Sequence, residues 1–290
     1  MTDFDFSEST EQASPTRSRS IRRMLGEDFV DQLDQLIAEE PLEIILAWQE
    51  GGRMHRRPLS MTMRTPGADR ELVVGFLFSE GIIEQFEDIA LLKISQRNAA
   101  INGHVAEVVL RDGLVPEHSQ IQRQALTNSS CGVCAKTSID DLMSIGRDEA
   151  QSDFSLKIAI STLYQLNSLQ RASQKSFDLT GGVHATSLFG ADGKWVDTAE
   201  DVGRHNAFDK IIGRALMRHQ IPLRDKIVVV SGRASYELVQ KADRGGAKLL
   251  CAVGAPSSLA VEMASQAGIS LVGFLRENRL NIYCHAERLM

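Results

Sequence analysis

The last third of the chain holds three continuous apolar runs, "KIVVVSG", "KLLCAVG" and "ISLVGFL", with the helical patterns "SYELVQKAD" and "SLAVEMASQAG" between them. Strands that are apolar without alternation are buried on both faces, and the segments of helical periodicity between them supply the crossovers that parallel strands need. This grammar predicts a parallel-sheet α/β layer in the C-terminal part of the chain. Upstream, "SLKIAISTLYQLNSLQRASQ" predicts a helix, and "VHATSLFGADGKWVDT" predicts a strand pair turning at Asp192-Gly193.

The N-terminal half has a different rhythm. "EIILAWQEGG" is a strand running into a Gly51-Gly52 turn, and "HRRPLSMTMR" is its hairpin partner, with Pro58 marking an edge or a bulge. "TPGADRELVVGFLFSEGII" predicts a helix with acids near its start and Gly81 at its end. "IALLKIS" and "HVAEVVLR" predict two strands joined around Asn102-Gly103 by a tight hairpin turn. "TSIDDLMSIG" predicts a further helix capped by Thr137 or Ser138. The expected fold class is mixed α/β (α+β). A disordered tail over residues 1–20 precedes a smaller hairpin- and helix-rich subdomain over 21–150 and an α/β ligand-binding subdomain over 151–290.

At 290 residues and 43% hydrophobic, the chain can bury a sizeable core. Thirty-eight acidic against 32 basic side chains give a net charge of -6, which argues against a nucleic-acid-coating protein. The opening "MTDFDFSESTEQASPTRSRS" lacks the basic start and apolar run of a signal or transit peptide. Every apolar run falls far short of the ~20 residues a membrane-spanning helix needs. The expected location is the cytoplasm, with no membrane partner.

In that setting the stretch "NSSCGVCAK", with Cys131 and Cys134 two residues apart, calls for a metal, redox or nucleophilic use. A structural zinc site needs four ligands, whereas this chain has one pair, with Cys251 and Cys284 isolated. A thioredoxin-like site places its pair at a helix start after an early strand, whereas hairpins precede this one. The third reading is a carrier thiol, in which one cysteine accepts sulfur as a persulfide and the other assists or relays it. Small neighbours leave room for a partner, and Lys136 favours the thiolate. Deaminase chemistry fails, because Thr186 stands where H-x-E requires the glutamate after His184, and no proline precedes Cys131.

Two anion-binding turns follow the apolar runs. "VVVSGRAS" passes from strand through Ser231 and Gly232 into a helix, with Arg233 and Ser235 beside the exposed N–H groups, and "AVGAPSSLAVE" repeats this at Ser257. Both lie at carboxyl ends of consecutive parallel strands, where open α/β sheets bind ligands. "EDVGRHNAFDKIIG" puts Arg204 and His205 on a first helical turn, and with His184 they form a candidate polar wall. "FLRENR" brings Arg276 and Arg279 to the end of the third strand.

The segments "SSCGVC", "FDLTGGVHATSLF", "EDVGRHNAFDKIIG", "SGRASYELVQKA", "APSSLAVEMA" and "GISLVGFLRENRLNIY", in this order, resemble the formate dehydrogenase accessory sulfurtransferase family, FdhD. The resemblance runs from about residue 40 to the C-terminus. It implies a sulfur carrier that takes sulfur from a cysteine desulfurase and delivers it to the bis-molybdopterin guanine dinucleotide form of the molybdenum cofactor, before formate dehydrogenase apoenzyme receives that cofactor. It also implies a homodimer, a cytidine-deaminase-like core and no permanent metal. Cys131 matches the family's persulfide cysteine and Cys134 its second cysteine; Phe274, Leu275, Arg276, Glu277, Asn278 and Arg279 match its cofactor-binding stretch. The competing expectation is a nucleotide-binding metal or redox sensor, which a zinc measurement with thiol titration separates from a carrier.

Overall fold

The computed structural model describes residues 14–117 and 156–290. The first two strands, β1 (Thr16–Leu25) and β2 (Asp28–Ile37), pair antiparallel as a ribbon of their own. Residues 16–20, expected within a disordered tail, are therefore part of a strand. Alternating polar residues hide β1 from a periodicity search, because a ribbon without a covered face has no reason to segregate its apolar positions.

β3 (Glu40–Glu50) and β4 (Arg53–Arg64) form the expected hairpin. Gly51 and Gly52 take φ of 58° and 75° at its turn, a conformation that favours glycine. Pro58 sits at a bulge, where the register jumps from Ile44↔Ser60 to Ile45↔Pro58, so its missing N–H interrupts no regular ladder. Helix α1 (Asp69–Ser79) starts with Asp69 and Glu71 in its first turn, which the helix dipole favours. β5 (Ile89–Asn98) and β6 (Gly103–Leu110) pair antiparallel. Their connection is a single 3-10 turn over residues 99–101, closed by Asn102 at φ 48°, and not the two-residue turn expected; Gly103 already belongs to β6. The sheet order is β4-β3-β6-β5.

The second half contains α2 (Ile160–Ser173), α3 (Lys175–Thr180), β7 (His184–Gly190), β8 (Trp195–Asp201) and α4 (Arg204–Met217). There follow β9 (Lys226–Val230), α5 (Tyr236–Arg244), β10 (Leu249–Ala252), α6 (Ser258–Gln266), β11 (Ser270–Arg276) and β12 (Arg279–Cys284). The three runs predicted as parallel strands are adjacent and parallel, as β9, β10 and β11. They form the centre of a mixed six-stranded sheet, β12-β11-β10-β9-β7-β8, in which β7 and β12 run antiparallel to their neighbours.

Helix α2 covers one face of this sheet, with Leu163 and Leu166 in a cluster with Phe189, Val229, Cys251 and Val272. A second cluster joins the opposite sheet face to α4, α5 and α6, and continues through α1 to Leu42, Leu46 and Val108 of the four-stranded sheet. The two expected subdomains thus share one core. At its centre α1 and α4 cross with their backbones in contact. A Cβ added to Gly75 would lie 1.9 Å from the Asp209 carbonyl oxygen, and one on Gly213 would lie 1.9 Å from that of Glu71. Only glycine permits that approach.

Buried charges tie the same helices together. Lys241 Nζ donates to both carboxylate oxygens of Asp209 at 2.7 and 2.8 Å, and Ser79 Oγ donates to Oδ1 at 2.8 Å. Burial pushes the Asp209 carboxyl above its ordinary range despite these partners. Among the described residues, no helix is long and apolar enough to cross a membrane.

Candidate cofactor-binding site

The carboxyl ends of β9, β10 and β11 are bound to one another through backbone rather than side chains. Gly254 N–H donates to Gly232 O at 2.8 Å, Ser257 N–H to Ala234 O at 3.0 Å, and Phe274 N–H to Gly254 O at 3.0 Å. Gly254 permits this stacking, since a Cβ there would lie 2.9 Å from Gly232 O. The three turns therefore form one rigid ledge leading into the first turns of α5 and α6. The side chain of Ser257 caps α6, its Oγ accepting from Ala260 N–H at 3.3 Å. Ser231 Oγ accepts from Ala185 N–H at 2.9 Å. These two hydroxyls build the ledge, and Arg233 extends from it exposed, with no hydrogen bond or ion pair among the described residues.

The histidine wall assembles beside this ledge. β7 runs antiparallel to β9, which brings His184 at its start to Gly232; a Cβ on Gly232 would lie 3.3 Å from His184 Nδ1. Arg204 and His205 open α4, at the helix end that disfavours cations, and no acid shares that turn. Burial first, and then the Arg204 charge, push His184 below the ordinary histidine range, against the opposing pull of Asp201. The ring is thus neutral at neutral pH. Arg204 Nε is buried without a hydrogen-bond partner among the described residues, as is Thr186 Oγ1 on the same strand face as His184.

His205 Nε2 lies 3.4 Å from Ser235 Oγ and 3.8 Å from Glu237 Oε2. Burial alone would raise the Glu237 carboxyl. The Ser235 hydroxyl, the residue's own N–H and the neighbouring His205 and Arg204 outweigh it and hold the group below its ordinary range. The cations at this end of the site thus stand against two carboxylates, Glu237 and the buried Asp201, which Lys210 also pairs.

The third turn carries a second positive group. Its register breaks between Gly273↔Asn281 and Arg276↔Arg279, and Phe274 takes φ 53° within the bulge. A non-glycine residue held there costs about 1–3 kcal/mol, and a bulge re-aims the side chains that follow it. Here it sets Arg276 directly across from Arg279, a pairing of like charges that is unfavourable by itself. Arg276 NH1 donates to Val253 O at 2.9 Å and Leu275 O at 2.7 Å, and neither arginine forms an ion pair among the described residues. A shallow pocket of about 450 Å³ opens here, lined by Arg276, Glu277, Asn278, Arg279 and Asn167. Leu275 is buried in the cluster under α2 and anchors the stretch.

The structure thus gathers Ser231, Gly232, Arg233, Ser235, His184, Arg204 and His205 around one end of the ledge. It places Arg276 against Val253 on the same ledge, with the 276–279 turn beyond. Cys131 and Cys134 lie outside the described residues. Among the described residues, no three His, Cys, Asp or Glu side chains converge into a metal-binding group. Asn167 and Glu237 escape a reading by motif: each is one polar residue on a helix, and only the tertiary fold brings Asn167 to the arginine turn.

Comparison with known proteins agrees with this architecture. Curated relatives include the sulfur carrier protein FdhD of Streptomyces coelicolor, 41% identical over 278 residues, covering 94% of this chain and 95% of the relative. That of Saccharolobus solfataricus is 39% identical over 256 residues, covering 88% and 91%. A crystal structure of a formate dehydrogenase accessory protein from Desulfotalea psychrophila superimposes with a TM-score of 0.72 at 21% identity, covering 96% of this chain and all of that one, and so shares the fold. The model of the FdhD/NarQ family matches residues 37–290, which with these relatives shows that the chain belongs to that family.

Proposed function

We propose that this protein is a sulfur carrier that matures formate dehydrogenase. It takes sulfur from a cysteine desulfurase on Cys131 and passes it to the molybdenum cofactor in its bis-molybdopterin guanine dinucleotide form. The observation that carries the reading is the ledge, flanked by two positive groups without ion-pair partners at Arg233 and at Arg276–Arg279, in a member of the FdhD/NarQ family. Guanine dinucleotide phosphates are anions of the kind that helix starts and arginines hold. The cofactor is the substrate here, and the protein acts as a homodimer in the reducing cytoplasm, the compartment that suits a thiol carrier. The sheet order β8-β7-β9-β10-β11 supports the deaminase-like core that the sequence resemblance implies.

The sulfur steps balance through the cysteine pair. The Cys131 thiolate attacks the outer sulfur of a desulfurase persulfide, a sulfur–sulfur bond forms on Cys131, and the desulfurase cysteine leaves as thiolate. For delivery, a thiolate, either that of Cys134 or that of a thiol reductant, attacks Cys131 Sγ, expelling hydrosulfide and leaving Cys131 in a disulfide with the attacking thiol. A thiol reductant then restores the pair. Cys131→Ala should abolish formate dehydrogenase maturation in cells lacking the native protein while leaving GDP binding intact, and Cys134→Ala should reduce it less. Full maturation with Cys131→Ala would refute the assignment.

A further inference from the structure

Asp201 ends β8 with a carboxylate that is fully buried. Its Oδ1 accepts from Gly203 N–H at 2.9 Å and from the Asn206 amide at 3.1 Å, both at the opening of α4. Its Oδ2 accepts from Thr65 N–H at 3.1 Å and pairs with Lys210 Nζ at 2.8 Å, further along the same helix. The segment that follows β4 closes the arrangement. Thr65 Oγ1 accepts from Val202 N–H at 3.0 Å, Thr65 O from Lys210 Nζ at 2.9 Å, and Met63 O from the Asn206 amide at 2.8 Å. One carboxylate thus ties the start of α4 to its own third turn and to the N-terminal half of the chain.

That first turn needs holding. It carries Arg204 and His205 where the helix dipole repels cations, its N-cap Gly203 has no side chain to cap it, and Arg204 Nε is buried with no hydrogen-bond partner among the described residues. Helix ends fray, and this one presents two of the residues that face the site. Asp201 fixes it without reaching a ligand, because its side chain has no exposed surface. Asp201 also stands opposite His184 in the β7–β8 ladder, where its charge favours the protonated ring and the stronger influence of Arg204 disfavours it. A carboxylate this close to an anion site repels the anion by charge alone, and the Lys210 ammonium offsets that repulsion.

We propose that Asp201 is a positioning residue of the site, which acts through the first turn of α4 to aim Arg204 and His205 at the phosphate groups of the bound cofactor. The proposal rests on the cofactor reading above and adds a residue that no contact with the ligand would reveal. Lys210 is its counter-ion, and Thr65 and Asn206 complete the clamp.

Calorimetry with GDP and the NMR titration of His184, both on the full chain, test this together, because positioning and bare charge predict opposite signs. Asp201→Ala should weaken GDP binding by about tenfold, the scale of one charge-assisted contact, as Arg204 moves off the ligand. The His184 midpoint should rise, because the departure of Arg204 outweighs the loss of the weaker Asp201. A bystander charge would do the reverse: its removal would tighten GDP binding and lower the midpoint. Asp201→Ala with Lys210→Met controls for a general loss of fold, since it leaves no buried ammonium unpaired and makes room for water at the freed N–H groups. Its thermal midpoint should recover toward the wild type while GDP affinity and the His184 midpoint stay shifted. Recovery of all three together would mark a cap that only stabilises the helix, and would overturn the positioning role. A wild type that fails to bind GDP would overturn the cofactor reading. A wild type that binds it, with both readouts unmoved or moved the other way in Asp201→Ala, would overturn the role of Asp201 alone.

Discussion

Arg276 and Arg279 face each other across β11 and β12 without a carboxylate partner among the described residues, so an anion in the pocket relieves a repulsion the fold has built in. Arg276→Ala or Arg279→Ala should each weaken GDP binding by about tenfold or more, the loss of one charge-assisted hydrogen bond worth roughly 1.5–3 kcal/mol. Calorimetry reads this directly, and unchanged affinity in both variants would move the phosphate site elsewhere. His184 supplies a pH signature. Burial and then Arg204 disfavour its protonated form, so its NMR titration midpoint should lie below the ordinary value of about 6.5 and rise in Arg204→Gln. By linkage, the unfolded chain takes up this proton more readily than the folded one. His184 therefore lowers stability as the pH falls through the unfolded value, and costs nothing well above it. A midpoint at or above 6.5 would contradict the burial argument.

At the scale of elements, the crossing of α1 and α4 holds the four-stranded sheet to the site-bearing half, because α4 also presents Arg204 and His205. Gly75→Ala or Gly213→Ala should cost about 3 kcal/mol or more, since the added methyl meets a backbone carbonyl that cannot move alone. In a chain of this size the thermal midpoint should fall by roughly 6 °C or more, and a change under about 2 °C would show that the helices can separate cheaply. Elements with strong local signals were readable in advance. β9, β10 and β11 are apolar without interruption, and the Gly51-Gly52 turn and the Pro58 bulge follow from backbone chemistry alone. The ribbon was not readable, because its strands bury nothing. The Asn102-Gly103 pair misled for a related reason: Asn102 does take a positive φ, but Gly103 is already within β6, so the dipeptide straddles the end of a longer connection.

Across the whole molecule, the ledge and its histidine wall were legible as motifs, each turn following a buried strand. What no motif contains is the convergence of Asn167 with Arg276, or the single core that merges two expected subdomains. Those depend on which sheet face each helix covers, a choice made by the whole chain. The family relationship and the ledge lead to one central claim, that Cys131 carries sulfur on its way to a nucleotide-bearing substrate. Mass spectrometry of the intact protein after incubation with a cysteine desulfurase and free cysteine tests it most directly. The account predicts a gain of one sulfur atom, reversed by thiol reductant, mapped to the peptide containing Cys131, and absent in Cys131→Ala but retained in Cys134→Ala. No added sulfur on the wild type, or an equal gain in Cys131→Ala, would contradict it.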